Sequence, residues 1–204
     1  NGANFYTRET PLGPSHLPIA TFTYDPVQAR AMDKSDIRNL RRWHRNAALR
    51  AKRAGFDIIY VYAAHGFSTF QHFLSRRLNH RSDEYGGSLE NRMRLLREVT
   101  EDTRDAVGDR SAVALRFAMD EMLGEDGITK SEAEDVIGRM AEIPDLWDLT
   151  MGSWDIDSRT SRFTEEAAEE EFVRGVKKLT TKPVVGVGRF TSPDQMVRQI
   201  KQGL

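Results

Sequence analysis

The 204 residues are 39% hydrophobic and 30% charged, enough apolar material for a sizeable core and too much for a disordered chain. The 30 basic and 31 acidic residues leave a formal net charge of -1, so no global field draws the chain to nucleic acid or an anionic membrane, and neither is expected as a partner. There is no cysteine, which excludes disulfides, thiolate zinc sites, cysteine nucleophiles and cluster ligands within these residues. No apolar run approaches the roughly 20 residues that span a bilayer and no signal-peptide pattern opens the chain, so a cytoplasmic protein is the expectation.

An irregular opening rich in turn residues runs from Asn1 to about Met32. Apolar residues at helical spacing, Ile37, Leu40, Trp43, Ala47, Ala51 and Ala54, then predict a helix from Ser35 to Ala54, closed by Gly55. Phe56 to Tyr62 has the β-branched and aromatic composition of a parallel strand buried on both faces. The alternation then repeats. Ser88 caps a helix carrying Leu89, Met93, Leu96 and Val99 that stops near Gly108, and Ala112 to Phe117 is the second strand. Thr129 with Glu132 forms a capping box ahead of Ala133, Val136, Ile137 and Met140, leading to strand Leu146 to Met151. A fourth helix carries Phe172, Val173, Val176 and Leu179, its strand is Pro183 to Val187, and Ser192-Pro193 opens a last helix through Met196, Val197 and Ile200.

Strands alternating with amphipathic helices imply right-handed crossovers and a parallel sheet, hence an α/β fold. A closed barrel takes eight such units in about 250 residues, so four units read as a segment of a (β/α)8 barrel; a small flavodoxin-like doubly wound domain is the alternative. Either fold places function just after each strand.

After the first strand, Tyr62 and His65 leave into a glycine turn, where a histidine can donate a hydrogen bond or exchange a proton near neutral pH. Arg116 interrupts the apolar second strand and must have an anionic or strongly accepting partner, either an internal carboxylate or a ligand. After the third strand, Trp154 and Asp157 sit in a loop, and an indole there can wall a cation-binding pocket or simply pack. Gly186-Val187-Gly188-Arg189 offers open backbone amides and a cation suited to a phosphate, without the third glycine of a dinucleotide fingerprint. No metal site is expected. The basic run Arg38, Arg41, Arg42, Arg45, Arg50, Lys52 and Arg53, and the acidic run from Glu165 to Glu171, read as solvated outer faces.

The stretch His65-Gly66-Phe67 through Gln71, Phe73-Leu74-Ser75, and Asn79-His80-Arg81-Ser82-Asp83-Glu84-Tyr85-Gly86-Gly87-Ser88-Leu89-Glu90-Asn91-Arg92 resembles the old yellow enzyme family. Leu-Arg-Phe at Arg116 and Gly-Val-Gly-Arg at Gly186 follow in the family's order. The resemblance covers nearly the whole chain. It implies that residues 1–204 are part of one FMN-binding (β/α)8 domain, with an irregular region 1–34 and βα units over 35–204. The strands would be the fourth to seventh, with three before Asn1 and one after Leu204. It also implies that Arg116 reaches the flavin ring, that Gly188 and Arg189 lie by the FMN phosphate, and that the motif from Asp83 to Arg92 is a structural turn.

Ene-reductases of the family usually carry a histidine where this chain has Tyr62. Tyr62 with His65, the segment Asp145 to Gly152, and Trp154, Asp157 and Ser161-Arg162-Phe163 instead resemble the branch of trimethylamine, dimethylamine and histamine dehydrogenases. The loop between Gly152 and Trp154 is shorter than in that branch, and one extra residue lies between His65 and Phe73. The resemblance implies a hydrogen-bonded triad of Tyr62, His65 and Asp157, a substrate-binding Trp154, and oxidation of an N-methylated amine by hydride transfer to FMN. It further implies a homo-oligomer, an electron-transfer flavoprotein as acceptor, and a 4Fe-4S cluster bound outside these residues. Two alternatives stand beside it: an NAD(P)H-dependent ene-reductase of the old yellow enzyme or 2,4-dienoyl-CoA reductase type, and a non-catalytic binding domain using the basic helix.

Overall fold

Four parallel strands in unbroken chain order carry the fold. The computed structural model describes residues 9–19 and 27–203, with the backbone alone at 19 and 158–162. In the opening, β1 (Leu12–Gly13) pairs in parallel with β4 (Arg30–Ala31), and β2 (Pro18–Ile19) pairs antiparallel with β3 (Val27–Gln28). Helix α1 (Lys34–Arg53) follows, then β5 (Ile58–Ala63), α2 (Thr69–Leu74), α3 (Leu89–Val107), β6 (Ala112–Ala118), α4 (Lys130–Met140) and β7 (Leu146–Thr150). The remainder is α5 (Trp154–Phe163), α6 (Glu170–Val173), β8 (Val184–Val185) and α7 (Pro193–Gln202).

The sheet order is β5-β6-β7-β8, all parallel. One face presents Val61, Leu115, Trp147 and Val184 in register, packed in the core with Met93, Leu96 and Val99 of α3 and Val136 and Ile137 of α4. Phe117 and Trp147 meet edge-on at 5.9 Å within it. The other face carries Tyr62, Arg116, Asp148 and Val185 in register, and here Ile58, Tyr60, Tyr62 and Val185 are exposed. Expecting β5 to be buried on both faces was therefore wrong: it alternates strictly. The apolar composition of the uncovered side is that of a barrel lining, which meets its partners across the barrel axis. A doubly wound sheet reverses its strand order and carries helices on both faces, so the flavodoxin-like alternative is excluded.

Several local expectations are corrected. Helix α1 begins a residue earlier, at Lys34, because Asp33 caps it in a reciprocal box with Asp36. Its inward stripe runs through Ile37, Leu40, Ala48 and Ala51, while Trp43 is exposed. Arg41 lies beside that stripe, with Nε and Nη2 on the Asp102 carboxylate at 2.7 and 2.9 Å, so the basic run is not wholly solvated. Thr129 caps α4, but the Glu132 carboxylate goes to Arg76 and Arg92 rather than back to the cap. The helix expected around Phe172 to Leu179 is broken by Gly175, whose left-handed φ of 91° ends α6 and leaves a single 3-10 turn from Val176 to Lys178. Helix α2 was not anticipated, because six residues give too short a period to read. No helix among the described residues is long and apolar enough to cross a membrane.

Candidate functional site at the carboxyl edge of the sheet

Each strand delivers its chemistry at its carboxyl end, and three of those ends converge. Beyond β5 the chain turns sharply: His65 has φ 62° and Gly66 φ 71°. A histidine in the left-handed region is strained and persists only where its surroundings fix it. Here α2 fixes it. The Gly66 amide donates to the buried Gln71 side chain at 2.8 Å, His72 Nε2 bonds the Gly66 carbonyl at 2.8 Å, and Ser68 Oγ donates to the Tyr62 carbonyl. Across the cleft the Trp154 amide donates to the His65 carbonyl at 3.3 Å.

The imidazole so placed is buried and joins two strands. Tyr62 Oη bonds His65 Nδ1. On the other side Nε2 faces Asp157 Oδ2 at 3.3 Å and Thr150 Oγ1 at 3.4 Å, and Thr150 donates to Asp157 Oδ1 at 3.1 Å. Burial holds the His65 pKa below its ordinary value, although Asp157 works the other way. A neutral ring has one donor and one acceptor nitrogen; with Nδ1 accepting from the phenol, the proton sits on Nε2 and points at Asp157. Burial also pushes the Tyr62 phenol up, partly offset by Arg116, so the phenol is protonated and available as that donor.

Asp157 reaches the cleft from the first turn of α5, not from a loop as expected. Gly152 makes this possible. At φ 63° it turns the chain back, and a Cβ there would stand 2.9 Å from the Ile156 side chain. Trp154 starts the same helix and is half exposed at 52%; the Ser161 and Arg162 side chains lie outside the described residues.

Arg116 finds the anionic partner its position demands: Nη1 donates to Asp148 Oδ1 at 2.6 Å, and the carboxylate is 8% exposed. The two lie in register beside Tyr62. Among the described residues the guanidinium makes this one bond, so the rest of the fork is available to a further acceptor at the open face. Past β8, Gly188 has φ 136° and Arg189 φ 55°. A Cβ on Gly188 would stand 3.0 Å from the Glu169 amide nitrogen, so only glycine lets these backbones approach. Arg189 Nη1 donates to the Thr164 carbonyl at 2.8 Å.

The structure thus brings Tyr62, His65 and Asp157 together, sets Arg116 next to Tyr62, and puts Gly188 and Arg189 at the end of the neighbouring strand. Three residues went unread. Asp148 and Thr150 alternate on β7 in phase with its inner face, a readable signal obscured by the apolar neighbours. Glu169 belongs to the acidic run taken as solvated, yet it is 1% exposed; that expectation is overturned, and Glu166 and Glu170 are also engaged, with the Thr191 and Ser192 amides and with Arg174 and Arg198.

The motif from Asn79 to Arg92 makes a turn rather than a reactive site. Arg81 pairs with Asp83 at 2.6 Å and donates to the Pro14 and Met32 carbonyls, Asn79 donates to the Phe73 and Tyr85 carbonyls, and buried Arg92 bonds the Leu74 and Gly87 carbonyls and Glu132.

Sequential parallel strands, helices on one face and polar groups gathered at the carboxyl edge define a segment of a (β/α)8 barrel whose chemistry belongs at that edge. The chain belongs to the NADH:flavin oxidoreductase / NADH oxidase family, which it matches over residues 3–204, the FMN flavoenzymes of old yellow enzyme type. It is 38% identical over 187 residues to dimethylamine dehydrogenase of Hyphomicrobium sp. (strain x), covering 90% of this chain and 25% of that protein. Its fold superposes on histamine dehydrogenase from Rhizobium sp. 4-9 with a TM-score of 0.94 and 60% identity, covering 100% of this chain and 30% of that one. For the 6-hydroxypseudooxynicotine amine oxidase of Pseudomonas geniculata N1 the TM-score is 0.91 and the identity 51%, over 99% of this chain and 31% of that one. The chain therefore spans about a quarter to a third of the length of these relatives.

Proposed function

We propose that residues 1–204 form part of the FMN-binding barrel of an amine dehydrogenase that oxidises an N-methylated amine. The observation that carries this reading is the closed set of Tyr62, His65 and Asp157 at the carboxyl edge, with Trp154 exposed at the start of the helix that supplies Asp157. The names of the relatives, dimethylamine and histamine dehydrogenase, support it.

FMN fits the residues present: Arg116 has guanidinium nitrogens to spare at the open face, and Gly188 gives close backbone access beside Arg189. When bound, FMN supplies the acceptor for the hydride that leaves the carbon next to the amine nitrogen. Trp154 offers its indole face to the ammonium or the developing iminium, a contact worth roughly 0.5–2 kcal/mol. Tyr62 and His65 hold the proton relation near the nitrogen: a neutral His65 keeps the phenol's proton directed, and Asp157 fixes the tautomer. With FMN bound, Arg116 would supply a fixed cation to stabilise the negative charge of the reduced ring, and Asp148 holds that cation in place.

The test is anaerobic titration of the flavin absorbance of the full-length protein with a panel of methylated amines. Bleaching by an amine is the expected result. Bleaching by reduced nicotinamide alone would transfer the assignment to alkene reduction, and absence of a flavin would overturn both; a salt-dependent polyanion affinity in that last case would mark a binding domain.

A further inference from the structure

Glu169 precedes α6 and is 1% exposed, and among the described residues no N–H or hydroxyl donor reaches either carboxyl oxygen. It is locked there from outside, since the Gly188 backbone packs on its amide. Asp157 is within hydrogen-bond reach of its carboxyl, and the Arg116 charge also acts on it. Two carboxylates are acceptors only, so they can bond one another only when one of them keeps its proton. Asp157 already spends Oδ1 on Thr150 and Oδ2 on His65, which makes Glu169 the better holder of that proton.

We infer, on the footing of the amine dehydrogenase reading above, that Glu169 is a positioning residue: a buried carboxylic acid that donates a hydrogen bond to Asp157 and extends the Tyr62–His65–Asp157 set by one member. The charged and titratable groups around it are Asp157 on α5, Arg116 and its partner Asp148 on the sheet, and His65 beyond Asp157. Within its own segment Glu166 and Glu170 are turned to other partners. Burial, and then the negative charge of Asp157, push the Glu169 carboxyl up to about 8, with Arg116 opposing. At neutral pH the Asp157–Glu169 pair therefore carries one negative charge instead of two. Loss of the Glu169 proton puts a second negative charge beside Asp157, breaks the bond that orients it and strengthens the hold on a protonated His65.

The experiment is infrared spectroscopy of the flavin-loaded full-length protein, with glutamate labelled at the side-chain carboxyl carbon, as a function of pH and against Glu169→Gln. A protonated-carboxyl band at neutral pH that disappears near pH 8 and is missing in Glu169→Gln is the expected result. Should Glu169→Gln fail to fold, Asp157→Asn serves: its amide can donate to Glu169, so the band should titrate at least tenfold lower in proton affinity. A Glu169 already ionised at neutral pH in the wild-type protein overturns the inference. A second readout uses turnover. The amine-dependent rate should lose an alkaline limb near pH 8 in Glu169→Gln, whose amide keeps donating at every pH, and a limb unchanged by that substitution counts against the positioning role. If no amine reduces the flavin, the functional reading fails while the infrared result still decides the state of Glu169.

Discussion

Replacing Asp157 by Asn removes the negative charge beside His65 and the charged acceptor assigned to Glu169. The side chain keeps its size and can still accept from Thr150, but the negative oxygen 3.3 Å from His65 Nε2 is gone. An opposite charge at such range raises a histidine pKa by about 1–3 units. Asp157 is 22% exposed, so screening places the effect at the lower end, about one unit or roughly 1.4 kcal/mol. The sign follows from the chemistry: Asp157 favours the imidazolium, so its removal lowers a His65 pKa that burial has already lowered. The measurement is the rate of flavin reduction by substrate amine in the full-length protein between about pH 5 and 9. The limb assigned to His65 should move about one unit toward acid in Asp157→Asn and vanish in His65→Gln. An acid limb that stays in place in Asp157→Asn would refute the electrostatic coupling across the Nε2–Oδ2 contact, whatever happened to the maximal rate.

Arg92→Met should destabilise the fold by about 3–5 kcal/mol, because it leaves the Leu74 carbonyl without its donor and part of the Glu132 charge buried without compensation; an unfolding free energy from denaturant titration lowered by less than about a quarter of that amount would show that Arg76 alone satisfies Glu132. Arg116→Met should make the flavin harder to reduce and also destabilise the protein through the buried Asp148, so a redox titration should give a lower potential; an unchanged potential would separate Arg116 from the flavin. His72, held by burial at about 4 against an ordinary 6.5, binds fewer protons folded than unfolded. Its contribution to stability is complete above pH 6.5 and is lost as pH falls toward 4, on the order of 2–3 kcal/mol. In His72→Gln the fall in stability across that window should be shallower by a similar amount, read by denaturant titration at each pH; an unaltered slope would assign acid loss to the carboxylates instead. Trp154→Ala should raise the amine concentration for half-maximal reduction about tenfold, the upper part of the cation–indole range, with no change in reduction by dithionite; equal affinity in the two proteins would remove the indole from the site.

Much of the architecture could be read from residue order. The capping residues Ser88, Thr129 and Ser192 mark helix starts that the structure keeps, since a cap is a local contact between a side chain and amides two or three residues on. The run from Asn79 to Arg92 identified the family because its glycines and ion-paired side chains hold one specific turn. Less could be read where packing decides. Trp43 occupies a helical phase that points to solvent, and nothing short of the α1–α3 contact shows that Arg41 rather than Trp43 faces α3. The fourth helix dissolved because Gly175 takes a left-handed conformation that periodicity does not report.

For the site, sequence alone determined which residue types stand at the carboxyl ends of the strands: Tyr62, His65, Arg116 and Asp157 all follow from strand order, because a parallel sheet gathers those ends along one edge. What only the tertiary structure decided is how they meet. His65 closes on Asp157 through a left-handed turn braced by Gln71 and His72, and Asp157 arrives on α5 because Gly152 allows the chain to fold back. Glu169, one acid among several in its stretch, is buried where the Gly188 backbone packs on its amide. Contacts between residues up to about a hundred positions apart depend on how strands and helices pack, and that information is spread over the whole core rather than held in any one motif.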